Sequence, residues 1–186
     1  MKFITKNSMQ EMIETVRGTS AVNIYAETPC DMNKTGNPFF GATKKNWIAG
    51  LIGFDYENSV NNQLGREGQE TDFRAQSHKW AVLPENGCRS LRQNKDRTKT
   101  YLWIKVQSFE TPTYHFNGQE ISKETLAPYL KEHSKPNTQA NVEKEIVART
   151  FDLSNILAII MKGEEYVISE TVAEHVKTEQ QAPINA

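Results

Sequence analysis

The chain has 186 residues, a net charge of −1, and 37% hydrophobic against 24% charged residues. That length suits one domain with a real core and is short for two. No apolar run approaches the roughly 20 residues of a membrane span, the start MKFITKNSMQ lacks a signal-like apolar stretch, and Cys30 and Cys88 alone make no disulfide framework, so we expect a cytoplasmic protein.

Ser8 followed by Glu11 reads as a capping box, and Met9, Met12, Ile13 and Val16 recur at helical spacing before Gly18, which predicts a short amphipathic helix. SAVNIYA, residues 20–26, alternates as a strand. TPCDMNKTGNPFFG reads as a long loop carrying Phe39 and Phe40, and KKNWIAGLIGF as a second strand in which Gly50 and Gly53 mark a bend or bulge. Asp55 caps a predicted helix through Tyr56, Val60 and Leu64, and a polar loop over 66–77 follows.

KWAVL, the turn PENG and CRSLRQ predict a hairpin, and the basic turn NKDRTK leads into KTYLWIKVQSF. In an extended chain Leu102, Ile104 and Val106 share one face of that run, while Tyr101, Trp103, Lys105, Gln107 and Phe109 share the other. A turn at Asn117 and Gly118 comes next, then a short helix from Ser122 that Pro128 limits. Val142, Ile146 and Ala148 suggest a strand, and ILAIIM with EYVIS around Lys162 and Gly163 a closing hairpin. We expect one α+β binding domain over residues 1–168, built on an antiparallel sheet or small OB-like barrel with about three short helices and long loops. A polar, mildly acidic, disordered tail over 169–186 completes the chain.

Several chemistries fail on spacing. GNPFFGATKK sets Gly36 and Gly41 at phosphate-loop separation, but Ala42 stands before Thr43 where the lysine should be, and a strand follows where a helix is needed. Cys30, His78, Cys88 and His115 lack the paired spacing of a zinc site, and Cys88, which as a nucleophile would need a histidine and an orienting partner brought to it by the fold, reads as a passive cysteine beside a turn. Asp55 with Glu57, and Glu70 with Asp72, are the nearest approach to nuclease carboxylates, yet they read as a helix cap and a polar loop. No catalytic residue, metal or cofactor is expected.

Charge and aromatics point elsewhere. Eight basic residues between Arg74 and Lys105 stand against Glu85 and Asp96, a net +6, while residues 164–179 carry −4. Such asymmetry is a mark of nucleic-acid binding. Trp47 with Lys44 and Lys45, Trp80 with Lys79, and Tyr101 and Trp103 with Lys105 each join a ring to a cation, as proteins that grip single strands do. The expected site therefore stacks bases on Trp47, Trp80, Tyr101 and Trp103 and faces phosphates with Arg89, Arg92, Lys95, Arg97, Lys99 and Lys105. Six neutralised phosphates would give a salt slope of about −4 for a single strand.

The run NPFFGATKKNWIAGLIGFDYENSVNNQLGREG, with HKWAVL and KTYLWIKVQSF, resembles small bacteriophage-encoded proteins of unassigned activity. The aromatic and basic sheet followed by an acidic tail is similar, more loosely, to phage single-stranded DNA-binding proteins. That resemblance implies a barrel-like fold, a place in DNA replication within the host cytoplasm, and a tail that contacts a replication partner. The leading expectation is a non-catalytic single-stranded nucleic-acid binder, of DNA first. The alternatives are a phage counter-defence protein that sequesters a small nucleotide signal or blocks a host protein, and a metal-dependent nuclease.

Overall fold

The computed structural model describes residues 1–53, 80–82, 90–94, 96–131 and 148–170. In chain order these form β1 (Lys2–Ile4), α1 (Lys6–Glu14), β2 (Ser20–Pro29), β3 (Thr43–Ile52), β4 (Trp80–Val82), β5 (Leu91–Asn94) and β6 (Thr100–Phe109). There follow β7 (Thr113–Phe116), β8 (Gln119–Ile121), α2 (Lys123–Leu126), β9 (Ala148–Asp152), β10 (Ile156–Met161) and β11 (Glu164–Ile168). The predicted helix after Asp55, the loop over 66–77, the apolar positions Val142 and Ile146, and the tail from residue 171 lie outside the described residues.

Val22, Ile24 and Ala26 alternate with Ala21, Asn23 and Tyr25, and that two-residue period gives β2 one apolar and one mixed face. β2 pairs antiparallel with β3 along its whole length, with Ile24 opposite Ile48 and Tyr25 opposite Trp47. The ladder continues β1-β11-β10-β2-β3-β6-β5-β4; β7 prolongs the β6 edge of β3, β8 pairs with β7, and β9 lines the other edge of β6. β1 lies parallel to β11 and every other pair is antiparallel. No ladder joins the two ends of the sheet among the described residues. The α+β class thus holds as an open, mixed sheet, and of the two expected forms, antiparallel sheet or small OB-like barrel, the described strands show no closed barrel.

Both described α-helices lie on one side of the sheet. Met9 and Ile13 of α1 close a core with Ile24, Ile48, Leu102, Ile104 and Ile159, all at most 2% exposed. Burying side chains of this size stabilises by about 1.5–3 kcal/mol each. Leu126 of α2 packs into a second cluster with Met32, Tyr114, Phe116 and Ile121 on the same side. Ser122 caps α2 through Thr125, and Pro128 sits in a following 3₁₀ turn, which keeps that helix short as expected.

The N-terminus departs from its sequence reading. Thr5, rather than Ser8, caps α1, its hydroxyl accepting from Ser8 N at 3.0 Å. Lys6 N donates to both oxygens of Glu170 at 3.1 Å, so a carboxylate 164 residues away sits at the positive end of α1. Strand β1 carries no local signal beyond three residues and exists because β11 offers it an edge.

Near the middle of β3 the ladder slips: Gly50 faces Val106 but Ala49 faces Ser108, leaving Gln107 as an extra residue. A Cβ on Gly50 would lie 2.5 Å from Ile104 Cγ2 and from Lys105 O, so only glycine lets the strands approach there. The slip also sets Phe109 opposite Ile48, on the helix side. Phe109 therefore does not share the face of Trp103, as strict alternation implied.

Candidate nucleic-acid interface

The sheet face turned away from α1, hereafter the outer face, is packed by no described helix. β3 contributes Lys45, Trp47, Ala49 and Leu51 to it, and β6 contributes Tyr101, Trp103 and Lys105. Trp47, Tyr101, Trp103 and Lys105 are half-buried. Their rings are therefore neither sealed in the core nor fully open.

Two aromatic stations result. At one end Trp47 packs on Tyr25 of β2 with ring centroids 5.3 Å apart and planes 34° apart. Tyr25 was missed in the sequence reading, although its place in the polar register of SAVNIYA was a visible signal. At the other end Tyr101 and Trp103 follow each other on one face, Tyr101 between Arg92 of β5 and Asp152 of β9, and Trp103 opposite Thr150. Leu51 stands opposite Lys105, so four residue steps along β3 and two along β6, at about 3.3 Å each, separate Trp47 from Trp103 by about 20 Å. The two indoles share a surface without touching.

The cations divide. Lys44 is exposed but falls on the opposite face from Trp47, because residues an odd number apart in a strand point apart. Lys45 does share the face, yet it is 8% exposed and its Nζ lies 3.4 Å from Glu27 Oε2, while Thr43 donates to Glu27 Oε1 at 2.9 Å. Both lysines leave the expected set for these reasons. Lys105 lies between the stations, and Arg92 flanks Tyr101 while donating to Leu91 O at 2.8 Å.

Arg97 and Lys99 are exposed in the β5–β6 turn, where Asn94 Oδ1 accepts from Lys99 N at 2.9 Å and Asp96 Oδ1 accepts from Thr98 N at 3.1 Å. The hydroxyl and amide of Thr98 hold the Asp96 carboxyl below the usual carboxylate range, and Arg97 beside it lies in the left-handed region at φ 59°. Trp80 lies in β4 opposite Asn94, and Lys79, Arg89 and Lys95 lie outside the described residues.

Between the stations the outer face sinks into a trough of about 440 Å³. Its floor is Ala21, Ala49 and Gly50, its walls are Ile160 and Gln107, and Lys162 stands at the rim. Asn23 reaches into this floor, and its Oδ1 is buried with no hydrogen-bond partner among the described residues. The sequence reading did not single out Asn23. Across β2 and β3 Asn23 faces Ala49 and Ala21 faces Leu51, so each of these adjacent rows carries one alanine.

The remaining chemistry-bearing residues assemble nothing comparable. Burial pushes the half-buried Cys30 thiol up, away from a reactive thiolate. The phosphate-loop look-alike ends directly in β3 at Thr43, with no helix to receive an anion. Among the described residues no three His, Cys, Asp or Glu side chains group as metal ligands. Cys88, His78, Asp55, Glu57, Glu70 and Asp72 lie outside them. No helix among the described residues is long and apolar enough to cross a membrane. No protein-family model, no curated protein and no solved structure matches this chain.

Proposed function

We propose that the outer face of the sheet binds single-stranded nucleic acid, DNA in the first instance, and that it does so without catalysing a reaction. One observation carries the reading: Tyr25, Trp47, Tyr101, Trp103 and Lys105 stand on one sheet face that no described helix packs. Half-buried rings fit this role, since a ring held on its edge by neighbours loses little freedom when a base stacks on its face. Lys105, Arg92, Arg97 and Lys99 supply the phosphate contacts, and Lys45, buried against Glu27, supplies none.

Quenching of tryptophan fluorescence by a short oligonucleotide at two salt concentrations tests the proposal. Four phosphate contacts predict a slope of log K against log salt of about −3 for a single strand. A signal that grows with oligonucleotide length supports strand binding. No quenching, or quenching indifferent to salt, overturns it. A response that saturates with a mononucleotide as tightly as with an oligonucleotide replaces the strand by a small nucleotide ligand.

A further inference from the structure

We propose that Phe40 and Lys34 form a third station on the bound strand, the ring of Phe40 stacking on a base and the ammonium of Lys34 meeting a phosphate. The proposal rests on the strand-binding reading above and extends its footprint past the Thr43 end of β3. The two adjacent phenylalanines of the loop between β2 and β3 have different surroundings. Phe39 turns into the second cluster, edge-on to Phe116 with ring centroids 5.5 Å apart and 5.8 Å from Tyr129. Phe40 is left 51% exposed.

The loop that carries Phe40 is braced from several sides. Asn37 Nδ2 donates to Asn33 O at 2.9 Å, Asn37 Oδ1 accepts from Phe39 N at 2.8 Å, and Asn33 N donates to Tyr129 O at 2.8 Å. Phe40 N donates to Asn37 O at 3.3 Å and Ala42 N to Phe39 O at 3.0 Å, while Gly41 between them takes φ 96°, a conformation open to glycine, to lead the chain into β3. A ring on so fixed a backbone has little freedom left to lose when a ligand stacks on it.

One exposed ring needs no explanation by itself, and it is the cation beside it that points to a ligand. Lys34 Nζ lies 5.9 Å from the centroid of the Phe40 ring. Among the described residues no carboxylate pairs with Lys34, and Asp31, the acid nearest to it in sequence, is paired with Lys131 at 3.3 Å. A cation over a ring is a weak contact in water, so the ammonium is open to a phosphate while the ring keeps a face for a base.

Position joins this pair to the sheet face. Phe40 lies seven residues before Trp47, no more than about 25 Å from it even in a fully extended chain, and β3 leads from the one toward the other. With the stretch of about 20 Å from Trp47 to Trp103, a stacked strand at about 3.4 Å per nucleotide covers all three stations in about 14 nucleotides.

Fluorescence anisotropy with an oligo(dT) of about 16 nucleotides, long enough for that path, tests the proposal on wild type, Phe40→Ala, Phe40→Trp and Lys34→Ala. Far-ultraviolet circular dichroism reports folding of each. Phe40→Ala should raise Kd about tenfold, whereas Phe40→Trp, which keeps a ring, should bind within about twofold of wild type or more tightly. A fifth phosphate contact takes the expected slope of log K against log salt from about −3 to about −3.5, and Lys34→Ala should flatten it by about 0.7. A Kd unchanged in folded Phe40→Ala, or weakened as much in Phe40→Trp, overturns the third station while wild-type binding leaves the sheet-face reading in place. A slope that Lys34→Ala does not alter overturns it as well. Failure of wild type to bind the oligonucleotide sinks both.

Discussion

Tyr25 and Trp47 stand opposite each other across β2 and β3, their ring centroids 5.3 Å apart, on the sheet face that α1 leaves uncovered. Such pairs contribute about 0.5–1.5 kcal/mol beyond the area they bury, so the geometry is held before any ligand arrives. Trp47→Ala should weaken oligonucleotide binding by about 1–3 kcal/mol, roughly 5- to 150-fold in Kd. Anisotropy titration measures it. An unchanged Kd in a folded variant would remove Trp47 from the interface.

Lys45 and Lys105 share the outer face, and among the described residues it is Lys45 that is ion-paired, to Glu27 at 3.4 Å. Lys105→Ala should therefore flatten the slope of log K against log salt by about 0.7, the share of one phosphate. Lys45→Met should leave that slope alone and instead cost about 1–2 kcal/mol of stability, modest because the Glu27 side chain it abandons is 34% exposed. Salt titrations and urea unfolding of both variants separate the roles. The reverse pattern would mean that Lys45 leaves Glu27 to meet the strand.

The N-terminal segment is clasped by acids near the end of the described chain. The Lys2 ammonium at 2.6 Å and the Tyr166 hydroxyl at 2.9 Å hold the Glu164 carboxyl below its ordinary range, and backbone amides, including that of Lys6, do the same for Glu170. A carboxyl whose pKa is depressed in the folded state adds stability above its unfolded value and loses it as pH falls through the folded one. Lys2 is raised by the same pair, and its share persists until far alkaline pH. Urea midpoints measured from neutral to acid pH should fall less steeply for Glu164→Gln and Glu170→Gln than for wild type. Parallel curves would show that the clasp does not persist in solution.

What was legible locally was legible for a physical reason. The run KTYLWIKVQSF alternates because a strand has a period of two, and it does put Leu102 and Ile104 in the core and Trp103 and Lys105 opposite. The hairpins at Asn117–Gly118 and Lys162–Gly163 were marked by residue pairs that take positive φ, and both are there. The helix from Ser122 was readable from its cap. By contrast, Ser8 looked like a cap because Glu11 follows three residues later, whereas Thr5 takes that place one turn upstream, and β1 had no periodicity long enough to see.

By itself, then, the amino-acid order determined which side chains share a face within each strand, since that follows from covalent geometry and neighbours in the chain. Tertiary structure decided what stands beside them. The pairing of Lys45 with Glu27, the slip at Gly50 that turns Phe109 away, the contact of Tyr25 with Trp47 and the hollow at Asn23 all depend on a neighbouring strand. Whether the sheet closes is likewise a matter of how long-range ladders meet, and no local periodicity encodes a partner that distant in sequence.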